Sequence, residues 1–165
     1  MRHDGLSHHY GVRMHQDSSA ESPATARGAV AIIVNSRGEL LLHLRDDIDG
    51  IAWPGYWSLL GGGCDAGEDD IDGICRELDE EAGLGTEVES LIKRCEIRDE
   101  HGSGQLITFF SAHWDGDETQ LPLAEGVKLH FFAPEFLDDL RVPFFIRDGI
   151  NRYLTSLPPE RRLPR

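Results

Sequence analysis

Residues 62–84, GGCDAGEDDIDGICRELDEEAGL, constrain this chain more tightly than any other stretch. Glycines run directly into a short amphipathic segment and a glycine ends it. Asp69 stands where a helix N-cap is expected, Asp70 and Asp72 suit the positive end of the helix, and Gly83 suits its C-terminal stop. At about 100° per residue, Glu77, Glu80 and Glu81 fall within a sector of roughly 100°, while Ile71, Ile74, Cys75, Leu78 and Ala82 share another. One side of the helix is expected to pack and the other to display negative charge. Like charges four residues apart cost a few tenths of a kcal/mol. A hard divalent cation with a preference for oxygen ligands, Mg²⁺ or Mn²⁺, would offset that cost.

Glutamates on a helix would by themselves mark only a solvated face. Here they belong to a longer pattern: Gly62, five residues, Glu68, seven residues, then Arg76-Glu77-Leu78-x-Glu80-Glu81-x-Gly83-Leu84. All nine specified positions agree with the Nudix box, and the chain is identified on them as resembling the Nudix hydrolase family, MutT-like members included. The resemblance implies an α+β fold, an α/β/α sandwich around a mixed sheet, with the box as a loop–helix–loop at one end. It implies Mg²⁺-dependent hydrolysis (Mn²⁺ serving as well) of a diphosphate linkage in a nucleoside di- or triphosphate, or in a nucleoside diphosphate joined to another group.

Site residues follow position by position. The resemblance makes Glu77, Glu80 and Glu81 the metal-binding trio, joined by the backbone carbonyl of Gly61. Arg76 and Glu68 match a pair that holds the box together, with direct contact between Arg76 and a substrate phosphate as the rival reading. Gly62 and Gly83 are conformational. Glu80, Glu81 and Glu125, the last in a Glu-Gly pair before a strand, are candidates for the catalytic carboxylate that activates water. Glu96, Glu100 and His101 are weaker ones. Arg45, Tyr56 and Trp57, with Trp53 nearby, could line a base or sugar pocket, although packing is the commoner fate of such rings.

Composition narrows the classes further. The net charge of −14 argues against stable binding to nucleic acid or to an anionic membrane. It also means that an anionic substrate needs a bridging cation. Three cysteines without a CxxC indicate neither a disulfide framework nor a zinc site and suit a reducing, cytoplasmic setting. No apolar run is long enough to span a bilayer, and the first residues lack a signal-peptide core.

One domain is expected over residues 27–158, with polar tails at 1–26 and 159–165. Histidines 3, 8, 9 and 15 fall in the first tail and are read as solvated rather than as a metal site. Strands are predicted at 29–34, 39–45, 57–60, 88–98, 105–114 and 128–132, with a glycine loop at 61–63. Further helices are predicted at 134–140 and 145–157. Gly73, costly inside a helix, is expected to mark close approach of the helix to the sheet. A homodimer is expected from the resemblance. A non-catalytic nucleotide sensor and an isoprenoid-diphosphate isomerase, which share the fold, are the alternatives. The complete set of glutamates weighs against both.

Overall fold

Seven strands and two helices account for the regular structure of residues 26–161, the part of the chain that the computed structural model describes. They are β1 (Arg27–Val34), β2 (Leu40–Leu44), β3 (Trp57–Ser58), β4 (Leu60–Gly63), α1 (Asp70–Ala82), β5 (Glu89–Arg98), β6 (Leu106–His113), β7 (Lys128–Phe132) and α2 (Phe144–Ser156). The four N-terminal histidines and the expected tail over residues 1–25 lie outside the described residues. So do residues 162–165.

The apolar run of β1 lies at the centre of a mixed sheet. β4 runs antiparallel to β1, β6 runs parallel to it, and β5 continues antiparallel to β6. β2 pairs antiparallel with both β3 and β7, but meets β1 only at Val34–Leu40. Alternation along β1 divides the interior into two cores. Ala29, Ala31 and Ile33 pack with Ile74, Leu78 and Ala82 of α1; Val30 and Ile32 pack with Ile146 and Ile150 of α2. The three-layer α/β/α sandwich follows from that alternation. The full burial of Leu40, Leu41 and Leu42 has the same cause, because both faces of β2 are covered.

Gly149, buried in α2, shows how closely the second layer sits. A Cβ there would lie 2.2 Å from Cε1 of Phe109. Helix propensity favours Gly149→Ala by about 1 kcal/mol, but the clash with a fully buried ring costs about 1–3 kcal/mol. The expected net result is a loss of about 1 kcal/mol in a denaturant titration.

Five local expectations need correction. The strand predicted at 57–60 is two strands: Trp57 and Ser58 pair with β2, and the chain then crosses to pair with β1. Gly61, Gly62 and Gly63 are not loop but β4, opposite Val30, Ala29 and Gly28. The segment Pro134–Asp139 is a 3-10 turn rather than an α-helix, and another, Pro159–Arg161, forms where no fixed structure was expected. Proline opens both, with a φ that suits a first helical turn. Gly73 approaches the loop after β4 rather than the sheet: a Cβ there would lie 2.9 Å from Cys64 Sγ and 3.2 Å from Glu68 Oε2.

Candidate active site

The loop–helix junction is held together by Arg76. Its Nε and Nη2 donate to the two carboxylate oxygens of Glu68 at 3.0 and 2.9 Å, and Nη2 also donates to the Gly63 carbonyl at 2.9 Å. Nη1 donates to Glu77 at 2.7 Å and to Glu80 at 3.2 Å. Every nitrogen of the guanidinium is thus committed within the box. The pairing holds the Glu68 carboxyl down to about 2, chiefly through the Arg76 hydrogen bonds and then the Asp65 backbone N–H. The helix begins as expected at Asp69, whose backbone is extended, yet its side chain makes no capping bond. Asp70 instead binds Arg27, with Nε and Nη2 at 3.0 and 2.6 Å, and accepts from Thr108 Oγ1 at 2.6 Å. These bonds tie the start of α1 to β1 and β6. Gly83 closes the helix at φ 65°, with its N–H and that of Leu84 donating to Asp79 and Leu78.

Glu77, Glu80 and Glu81 share one side of α1 but differ in environment. Glu80 is exposed, Glu77 is half-buried against Gly62, and Glu81 is only 8% accessible. On a helical wheel Glu81 lies about 20° from Ile74, so it borders the packed sector. Ile71, which was expected to pack, is exposed instead, because it lies in the first turn, before the helix meets the sheet. The carboxylate of Glu81 accepts a 2.8 Å bond from the Gly61 N–H. Burial pushes its pKa up to about 7, with smaller upward contributions from the Glu77 and Glu125 charges; the Gly61 bond and Arg45 act in the opposite direction.

A carboxylic acid with a raised folded pKa keeps a proton that the unfolded chain has already released. Without divalent cations, Glu81 therefore stabilises the fold fully below pH 4.5 and loses that contribution as pH rises towards 7. His43, whose pKa burial lowers, acts with the opposite sign below 6.5. A comparison with Glu81→Gln isolates the carboxylate. The stability of Glu81→Gln relative to wild type should climb between pH 4.5 and 7, by an amount of order 3 kcal/mol at most, as read by urea unfolding in chelator.

Glu125 reaches this cluster across the chain. The Ala124 N–H donates to the Glu81 carbonyl at 2.9 Å, and His43 Nε2 lies 2.9 Å from the Glu125 carbonyl. Arg45 lies near enough to influence Glu81, while its Nε donates to the Ala52 carbonyl at 2.8 Å and braces the loop over residues 46–56. Tyr56 lies beneath the Arg141 guanidinium, 4.5 Å from ring centroid to Cζ, with Trp53 at 5.3 Å. Trp57 turns away, edge-on to Phe132 at 4.8 Å within the second core. Glu96 belongs to the Arg27–Asp70 network, and Glu100 and His101 are exposed in the β5–β6 turn. Two groups had no reading in the sequence. Asp99, 2% accessible, accepts from Trp53 Nε1 and from the Ser103 N–H, joining the 46–56 loop to the turn after β5. His43, 3% accessible, lies in β2. A histidine inside the leucine run 40–44 was the one available signal. Asp99 had none, since its link to Trp53 spans 46 residues.

The donors gathered on α1 are hard oxygens, the chemistry that a divalent cation selects, and a carboxyl whose pKa is raised chiefly by burial is one that a cation would stabilise. As arranged, Glu77 and Glu80 both lean on Arg76. No three His, Cys, Asp or Glu side chains among the described residues converge on one point.

Known proteins resemble this chain over most of its length. The model of the NUDIX domain matches residues 24–151. An RNA pyrophosphohydrolase of Novosphingobium aromaticivorans is 32% identical, over 68% of this chain and 80% of that protein. An uncharacterized Nudix hydrolase of Pseudomonas aeruginosa is 36% identical, over 76% of this chain and 73% of that one. Among solved structures, the NUDIX domain of Shewanella oneidensis NrtR, complexed with ADP ribose, superposes with a TM-score of 0.66 at 17% identity, over 81% of this chain and 89% of that one. The MutT protein of Methanosarcina mazei does so at 0.57 and 22%, over 82% and 96%. With the box, the sandwich and these relatives in agreement, the chain belongs to the Nudix hydrolase family.

Proposed function

We propose that the chain hydrolyses a diphosphate linkage in a nucleoside di- or triphosphate, or in a nucleoside diphosphate joined to another group, with Mg²⁺ or Mn²⁺ as cofactor. The observation that carries this reading is Glu81. A carboxyl driven out of water beside Glu77 and Glu125, and hooked by the Gly61 N–H, is unstable as a bare anion. Glu77, Glu80 and Glu81, with the Gly61 carbonyl, would hold the cation, which neutralises phosphoryl oxygens and acidifies a bound water. Glu77 and Glu80 must leave Arg76 Nη1 to do so.

Arg76 acts as a positioning residue. Its Nε and Nη2 contacts with Glu68 and Gly63 hold the β4 end against α1, and Nη1 is the one guanidinium nitrogen released when Glu77 and Glu80 turn to the cation. Gly62 lets Glu77 approach the strand, since a Cβ there would lie 2.6 Å from its Oε2. Glu125 is our choice for the carboxylate that takes the proton of the attacking water. Tyr56, flanked by Trp53 and Arg141, is the ring best placed to meet a base or sugar. Trp57 is committed to packing.

A second substrate reading comes from the relative named an RNA pyrophosphohydrolase. A net charge of −14 disfavours holding an RNA backbone, so small nucleotides remain the first choice. The test is phosphate and pyrophosphate release with Mg²⁺ from NTPs, dNTPs, oxidised nucleotides, ADP-ribose, nucleotide sugars and a 5′-triphosphorylated RNA. A kcat/KM at least about tenfold higher for a free nucleotide supports the proposal. The reverse ratio moves the substrate to RNA. Binding without turnover anywhere in the panel moves the function to sensing.

A further inference from the structure

We propose that His43 is a positioning residue that sets the place of Glu125. The inference rests on the reading of Glu125 given above and concerns a side chain that lies outside the box and hydrogen-bonds the Glu125 carbonyl. His43 sits in β2 directly after the buried Leu40, Leu41 and Leu42, and is itself 3% accessible. A polar ring in such a strand is tolerated only with a hydrogen bond. It has one in the Glu125 carbonyl, 2.9 Å from Nε2. A carbonyl can only accept, so Nε2 carries the proton and donates.

The neighbouring backbone closes over that bond. Gly126 has φ 83°, and a Cβ there would lie 1.9 Å from His43 Nε2 and 2.7 Å from the Leu44 carbonyl. Only glycine allows the chain to come this close to the imidazole Nε2. On either side, the Ala124 N–H donates to the Glu81 carbonyl, the Gly126 N–H to Asp46 Oδ2 at 3.1 Å, and the Val127 N–H to the Leu44 carbonyl at 2.8 Å. The segment carrying Glu125 is thereby fastened to α1 on one side and to β2 and Asp46 on the other. His43 supplies the bond to the carbonyl of Glu125 itself. Glu125 is exposed, so its placement depends on this backbone clamp rather than on packing of its own side chain. Small displacements of a reacting group are expensive, about 10²-fold for 1 Å.

A double-mutant cycle tests this. His43→Leu should lower kcat about 10- to 100-fold with KM within about threefold. In a Glu125→Gln background the same substitution should cost less than about twofold more. His43→Gln, which keeps an N–H donor, should recover most of the loss. Hydrogen exchange on the metal-free protein should rise at Gly126 and Val127, whose amides donate to Asp46 and Leu44, in His43→Leu while the amides of α1 stay protected. If His43→Leu does not fold, His43→Asn, whose amide is too short to reach, takes its place. Equal loss in both backgrounds, or wild-type kcat in the single variant, overturns the inference while leaving Glu125 its role. Full activity of Glu125→Gln alone overturns the role of Glu125, and the inference with it.

Discussion

Glu81→Gln should abolish turnover and make the metal-free protein more stable at pH 8, two effects of opposite sign from one substitution. A lost ligand or base typically costs 10²–10⁴-fold in rate, and a fall in kcat of at least about 10³-fold is expected here. Stability should rise because the amide occupies the same volume and still accepts from the Gly61 N–H, without confining a charge beside Glu77 and Glu125. Functional sites commonly hold such locally unfavourable groups. Steady-state kinetics and thermal unfolding in chelator check both effects. A variant that lost activity through misfolding would unfold at a lower temperature instead.

Gly61→Ala, immediately before the box, should be more damaging than any small substitution within it. A Cβ at this position would lie 2.1 Å from the Ala29 carbonyl oxygen and 2.7 Å from Val30 Cα, both main-chain atoms of the central strand. The backbone also holds φ at 137°, where side chains are rarely found. Overpacking costs about 1–3 kcal/mol and the unfavourable backbone another 1–3, so a total loss of about 3 kcal/mol or more is expected. For a chain of this size that lowers Tm by about 6–12 °C. Relief by separation of β4 from β1 would carry away the N–H that holds Glu81, so activity should fall with stability. An unchanged Tm would mean that β4 is not seated on β1 as described.

The contrast between these two positions shows what local pattern can and cannot specify. Helix α1, its first and last residues and its three carboxylates are written in short-range spacing, and they lie where spacing places them. Burial of Glu81 depends on the helix meeting β4, a long-range contact, so spacing grouped it with Glu77 and Glu80 on the side expected to display charge, whereas it is 8% accessible. The same holds for Gly61–Gly63, which read as a loop because three glycines carry no strand pattern, yet pair with β1, with main-chain atoms of that strand crowding the Cβ position of Gly61 and Glu77 that of Gly62. Trp57 and Tyr56 are one residue apart and looked equivalent. Strand alternation sends Trp57 to the second core and leaves Tyr56 with Trp53 and Arg141. Asp99 and His43 serve partners 46 and 82 residues away, separations over which periodicity carries no information.

The most direct measurement is a titration of wild-type turnover with Mg²⁺, after chelation, on the best substrate of the panel. Hydrolysis should be absent in chelator and return saturably with the cation, because the carboxylates of α1 are expected to act through it. Turnover that persists unchanged in chelator would contradict the role assigned to Glu77, Glu80 and Glu81.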